Sequence, residues 1–318
     1  MSPPPAKRQR AEEEPITCSE LWISDGNVVL QAGNVQFRVH FGVLARHSSV
    51  FRDMQGLPQP SNEPNVDGCP VVQLPDDPTD IEYLLKALYD PAFLTLKAMP
   101  FLAIRAFIRL GRKYEFKDFL NLAVGRLTVE FPNTLEAFDA LESELQTIAE
   151  YPGVFFDILA LASENNILSV LPAAYFFVID EYTLDELFEG IKKADGTMAT
   201  LSPLHLHNSV AGREKLLLRQ FQSGYTLEWV LDTLPVDGCT AHSKCCKERE
   251  MLMREFVNES SSSTWILFRA STLMAMCQLC TACNLHATKA IDTGRTKMWA
   301  ELPRIFGLSP WDELTNDI

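Results

Sequence analysis

Asn27–Phe51 reads NVVLQAGNVQFRVHFGVLARHSSVF, and its hydrophobic period changes partway along. Val28, Leu30 and Ala32 share one parity, Val35, Phe37 and Val39 form a second alternating set, and Gly33-Asn34 lies between them. Two short alternating runs across such a pair predict a β-hairpin with one buried face. Beyond His40 the alternation stops, and Leu44, Ala45, Ser48 and Phe51 are expected to join the hairpin to the first helical turns, with Leu44 and Phe51 buried.

On the N-terminal side, Pro3-Pro4-Pro5, Lys7-Arg8-Gln9-Arg10 and Glu12-Glu13-Glu14 offer almost no apolar surface to offset the entropy of ordering. A disordered tail over 1–18 is expected. Lys7–Arg10 has the look of a short nuclear-localisation cluster. No apolar run follows it, so no secretory signal is read, and an intracellular protein, nuclear or cytoplasmic, is expected.

On the C-terminal side, Gly56–Pro70 is rich in turn formers, and Val71-Val72-Gln73-Leu74 is a short strand. Asp77 stands as an N-cap with Pro78 at the first helical position, and Ile81, Leu84, Leu85 and Leu88 follow at helical spacing to about Tyr89-Asp90-Pro91. Pro100–Tyr114 and Lys117–Glu130 read as helices. After Pro132 little strand signal remains: Leu135–Glu150, Phe155–Glu164 and Leu171–Glu181 all read as helix, and Thr183-Leu184-Asp185-Glu186 has capping-box spacing. Ser260–Thr264 reads as a linker, and no repeat of solenoid length is visible.

With 318 residues, 47% of them hydrophobic, the chain can bury a large core in two domains of ordinary size. The formal charge of −14 repels phosphate backbones from most faces, which argues against general nucleic-acid binding. The apolar stretches at Val154–Ala162 and Val170–Ile179 are too short and interrupted to cross a bilayer.

Phe37-Arg38-Val39-His40, Val43-Leu44-Ala45, Ser48 and Phe51 resemble the strand-to-helix signature of BTB/POZ domains. The strand Val71–Leu74, the helix carrying Leu84–Tyr89, and Gly111-Arg112-Lys113-Tyr114-Glu115-Phe116 follow that family's order of elements. The ending, Gly294-Arg295-Thr296-Lys297-Met298-Trp299, Leu302-Pro303 and Phe306–Trp311, resembles the tail of a group of BTB proteins from mushroom-forming (basidiomycete) fungi. The resemblance implies an α+β fold: a BTB/POZ-like domain over 19–130, a small sheet capped by helices, followed by a mostly α-helical domain over 131–318. It also implies a non-enzymatic adaptor that works through protein–protein surfaces, with a homodimer, cullin scaffolds and transcriptional corepressors as the expected kinds of partner. Family members often pair an acidic residue before the first strand with a basic residue after the His. Asp25 fills the acidic place, but Phe41 follows His40, and there it adds apolar area to a partner surface. His40 itself reads as a structural hydrogen-bonding residue.

Six of the eight cysteines fall within 239–286. In a reducing compartment such thiols are free or bind metal, and two pairs about thirty residues apart can supply four thiolates to tetrahedral Zn²⁺. If 277–286 is helical, Cys277 and Cys280 lie one turn apart on one face while Cys283 and His286 rotate away. The expected ligands are therefore Cys239, Cys245, Cys277 and Cys280, with Cys246 and Cys283 as substitutes. The competing reading is a set of small core thiols. A four-thiolate site is closed to water, so its zinc would be structural. His205 and His207, read as lying on a loop, lack a third ligand. Trp299, Phe306 and Trp311 are expected to pack the tail onto the helical domain.

Two other functions fit the sequence less well. A transcriptional regulator would contact DNA through Lys244, Lys247, Arg249 and Arg254, but Glu248, Glu250 and Glu255 interleave with those bases. A metal-dependent enzyme would need an open coordination position and a general base, and no motif such as His-Glu-x-x-His supports one.

Overall fold

A computed structural model describes residues 15–56, 65–232, 236–258 and 265–318. The Lys7–Arg10 cluster and the Ser260–Thr264 linker lie outside the described residues. The chain divides into two compact units, with the boundary between Ala123 and Val124.

The first unit holds β1 (Thr17–Trp22), β2 (Val28–Ala32), β3 (Val35–Val39), α1 (Phe41–His47), α2 (Ser49–Met54), β4 (Asn65–Val66), β5 (Cys69–Leu74), α3 (Pro78–Tyr89), α4 (Pro91–Leu94) and α5 (Phe101–Lys113). The helix α6 (Lys117–Glu130) spans the boundary. The five strands form one sheet in the order β1-β3-β2-β5-β4. As the alternation predicted, β2 and β3 are an antiparallel hairpin, with Val28 opposite Val39 and Ala32 opposite Val35. The turn needs a left-handed residue, and Gly33 supplies it at φ 54° without the steric cost of a side chain. Strand β1 runs parallel to β3, and β2 parallel to β5. β1 begins at Thr17, inside the stretch expected to lack order, and much of it is exposed, so burial gives it no clear alternating signature.

Helix α3 starts and stops where its caps dictate. The Asp77 carboxylate accepts the Thr79 N–H at 2.8 Å, Pro78 occupies the first turn, and Asp90 closes the end. Its buried stripe of Ile81, Leu84 and Leu85 packs against α5, where Ile104, Phe107 and Ile108 are buried. Asp80 is buried on the same helix and is held by Arg105, whose Nη2 lies 2.6 Å from its carboxylate.

The second unit contains α7 (Leu135–Asp139), α8 (Val154–Glu164), α9 (Leu171–Glu181), α10 (Leu184–Glu189), β6 (Ile191–Lys192), β7 (Met198–Ala199), α11 (Pro203–Arg219), α12 (His242–Asn258), α13 (Ala270–Ala275) and α14 (Thr281–Ile305). The mostly helical character expected of this region is present, and the Thr183 capping box forms as the spacing predicted.

Two expectations are corrected. The helix read over Leu135–Glu150 ends at Asp139. Beyond it, backbone N–H groups go to carboxylates instead of a helical ladder: Glu130 takes those of Gln146 and Thr147, and Glu150 takes that of Leu145. The supposed loop at Ser202–Asn208 is the start of α11. Ser202 caps it by accepting the His205 N–H at 3.2 Å, with Pro203 in the first turn. The little strand found after Pro132 among the described residues is the antiparallel pair β6 and β7, two residues each and too short to show a period.

The tail packs inward as expected. Trp299 stacks on Trp311 at 5.4 Å, and Phe306 stacks on Tyr175 at 5.0 Å. Gly294 of α14 meets the chain at Tyr225-Thr226 so closely that a Cβ would lie 2.3 Å from the Thr226 nitrogen. Next to it, the buried Arg295 donates to the Leu267 carbonyl at 2.9 Å and to the Asp139 carboxylate.

His205 is buried on α11, with Nδ1 2.7 Å from the Tyr175 hydroxyl, and burial holds its pKa below the ordinary histidine value. The folded chain thus keeps His205 neutral at pH values where the unfolded chain has already bound a proton. Stability is full above about pH 6.5, the unfolded value, and falls as the pH drops from there towards the folded-state pKa. Between pH 7.5 and 5.5 the wild type is expected to lose up to about 1 kcal/mol more than His205→Gln. Urea midpoints at the two pH values measure this, and equal losses would remove His205 as the cause.

Candidate functional site

At the hairpin junction, His40 is bonded on three sides. Its N–H donates to the Tyr89 hydroxyl at 2.8 Å, its Nδ1 lies 3.2 Å from the same oxygen, and its Nε2 lies 3.4 Å from Asp25. Asp25 therefore finds its partner in His40. Phe41, half-buried, sets its ring edge-on to Phe51 at 6.1 Å and donates its N–H to Asn27. Ser48 is fully buried: its hydroxyl donates to the Tyr114 carbonyl and accepts the Phe51 N–H at 3.0 Å, capping α2. Leu44 and Phe51 are buried as expected. Both ring nitrogens of His40 thus lie beside a partner, and the junction is held together by these contacts.

The late cysteines are brought together by three local structures. Cys239 sits on a turn after Gly238, with its N–H on the Val236 carbonyl. Cys245 lies in the first turn of α12 and is buried, its N–H on the Ala241 carbonyl. Cys280 is the N-cap of α14, and Cys283 follows in the first helical turn. Side-chain bonds from Glu248 to the Gln278 N–H at 2.8 Å, and from Lys244 to the Gln278 side chain, hold the segment before Cys280 against α12.

Among the described residues, the sulfurs of Cys239, Cys245, Cys280 and Cys283 lie within 4.8 Å of one another. Cys239 and Cys280 are 3.8 Å apart. Four sulfurs at about 2.3 Å from a tetrahedral zinc would be about 3.8 Å from each other, so the group has the dimensions of a four-thiolate site. An all-sulfur donor set also suits Zn²⁺. Two kinds of backbone dipole support it. The Cys280 N–H donates to the Cys245 sulfur at 3.3 Å. Cys280 makes no regular cap hydrogen bond, but the N–H groups of Cys283 and Thr240 face its sulfur and hold its pKa down to about 6. Burial pushes the Cys245 and Cys283 thiols up in the metal-free protein.

Three of the four expected ligands are thus in the group, and Cys277 is not. It belongs to the core formed by Leu227, Trp229, Leu252 and Leu273, points its sulfur at the Leu273 carbonyl, and has its pKa raised to about 11 by burial. The expectation assumed one helix running through 277–286. The helix instead begins at Thr281, so the pair that shares a turn is Cys280 and Cys283. The place of Cys283 was visible in its three-residue step from Cys280; what was missing was the helix start. Cys246 also lies outside the group, beside His242 and Arg249. His286 turns to Asp232, 3.2 Å away, and His205 and His207 are held on α11, far in sequence from these sulfurs.

Comparison with known families matches residues 23–126 to the BTB/POZ domain. With its small sheet, capping helices and helical continuation, this part of the chain is a BTB/POZ domain. Comparison with curated proteins gives no match.

Proposed function

We propose that the chain is a non-enzymatic, intracellular adaptor whose BTB/POZ domain recruits protein partners and whose second unit is braced by a structural zinc. The observation that carries the adaptor reading is the BTB/POZ domain at residues 23–126, a family that works through surfaces. A homodimer, with the half-buried Phe41 adding apolar area beside the Asp25–His40 pair, and a cullin scaffold or corepressor are the partners this family suggests. No described helix is long and apolar enough to cross a membrane. Affinity capture of the full chain from its native cells, followed by mass spectrometry, tests the reading. Recovery of a cullin assigns a ligase adaptor, and recovery of corepressors assigns a transcriptional platform. A preparation that returns no partner beyond those of an unrelated bait would defeat the adaptor reading.

Cys239, Cys245, Cys280 and Cys283 would hold the zinc. Four thiolates fill its coordination and leave no position for water, so the ion would fasten the Cys239 turn, α12 and α14 together without hydrolysing anything. The DNA reading is less favoured by the arrangement of α12. Arg249 is turned inward to the Trp229 carbonyl, which withdraws one of the four bases from the surface, and Glu250 and Glu255 stay exposed among the others.

The Lys7–Arg10 cluster would place the protein in the nucleus. Deleting residues 1–14 is expected to shift a fluorescent fusion to the cytoplasm without changing its melting temperature, and an unchanged distribution would discard the motif.

A further inference from the structure

We propose that Cys239 and Cys280 are a thiol-oxidation site for low-molecular-weight disulfides of the glutathione type, closing a Cys239–Cys280 disulfide that displaces the metal; this rests on the zinc reading. Two independent features single out this pair. The first is distance: these sulfurs are 3.8 Å apart and need to approach by under 2 Å to bond at about 2.05 Å. The second is access: Cys239 and Cys280 are the two half-buried members of the group, while Cys245 and Cys283 are buried. The sulfurs an oxidant can reach are therefore also a pair close enough to join. Cys239 sits on a turn outside any helix, whereas Cys245 lies within α12 and Cys283 within α14.

The exchange balances without any further reagent. One outward thiolate attacks a sulfur of glutathione disulfide, forming a mixed disulfide and expelling one glutathione thiolate. The other outward sulfur then attacks the protein sulfur of that mixed disulfide and expels the second thiolate. The two cysteine sulfurs give up two electrons as their bond forms, and the two electrons leave with the glutathione thiolates. Zn²⁺ loses two of its four ligands and departs, and Cys245 and Cys283 each take up a proton. The result replaces a four-point clip by a two-point one between the Cys239 turn and the start of α14. Reduction by excess thiol, with zinc present, restores the first state.

The test uses the full chain purified under reducing conditions. Its zinc content, measured before any oxidant is added, examines the zinc reading alone. The chain is then treated with glutathione disulfide, released zinc is followed with a chromogenic chelator, and the disulfides are mapped on non-reduced, alkylated peptides. Stoichiometric zinc release together with a Cys239–Cys280 link, both reversed by dithiothreitol and zinc, is the expected result. A Cys246→Ser, Cys277→Ser double variant should behave like the wild type, because neither sulfur belongs to the group. Zinc retained with all four thiols intact in excess oxidant overturns the proposal. So does zinc loss with a linkage that leaves Cys239 or Cys280 free. Should the chain hold no zinc at the outset, the zinc reading fails and the disulfide map decides the pair by itself: a Cys239–Cys280 link supports it, and any other outcome overturns it.

Discussion

On the zinc reading proposed above, a Cys245→Ser chain is expected to lose the metal and, with it, the order of the turns around 239–245 and 278–284. Cys245 is 2% exposed and accepts the Cys280 N–H, so in the proposed site it would be the ligand through which α12 meets the start of α14. In small zinc-finger peptides the metal contributes about 10–16 kcal/mol, enough to decide whether they fold at all. Here the effect should be local, because Trp229, Leu252, Trp265, Leu273 and Ile291 already form a buried cluster without the metal. Hydrogen exchange should therefore speed up by orders of magnitude around 239–245 and 278–284, with the BTB/POZ domain unchanged. Metal analysis and exchange on the full chain provide the check, and a variant with wild-type zinc content and protection would remove Cys245 from the ligand set. Cys277→Ser is the control: it should keep its zinc and lose only core packing.

The second large effect is expected at Phe51. Its ring is 1% exposed and lies against Tyr114 at 5.2 Å, Phe116 at 5.9 Å and Phe41 at 6.1 Å. Phe51→Ala removes the centre of this aromatic set and leaves a cavity the surrounding helices cannot close, a loss of about 3–5 kcal/mol. Phe51→Leu fills much of that space and should lose distinctly less. Urea unfolding of both variants measures the difference. An alanine variant as stable as the wild type would mean that the junction between β3 and α2 is not the core of the domain.

What could be read from the residues alone depended on whether local chemistry was enough to decide the structure. The β2–β3 hairpin and α3 were legible because alternation, a left-handed Gly33, and the Asp77-Pro78 cap each act within a few residues. Ser202-Pro203 uses the same cap chemistry to begin α11, within a stretch whose two histidines read as a loop. Residues 140–150 could not be read this way, since the N–H groups of Gln146 and Thr147 are captured by Glu130, far earlier in the chain, and that of Leu145 by Glu150. The cysteine group falls between these cases. Its cysteine-rich segment and three of its members were legible from spacing. The choice between Cys277 and Cys283 depended on where α14 starts, and Cys280 as an N-cap carries none of the usual oxygen-bearing signals of that position.

The close approach of Gly294 to Thr226 also limits how this chain can diverge. Position 294 is closed to every side chain, because even a methyl group would overlap the Tyr225-Thr226 backbone. A helix pushed away there would take Arg295 with it, off both the Leu267 carbonyl and Asp139. The two positions, and the acid at 139 that answers the arginine, are therefore coupled through one stretch of α14. A descendant could exchange the exposed residues of α14 one at a time, but it could alter these coupled positions only by several changes made together.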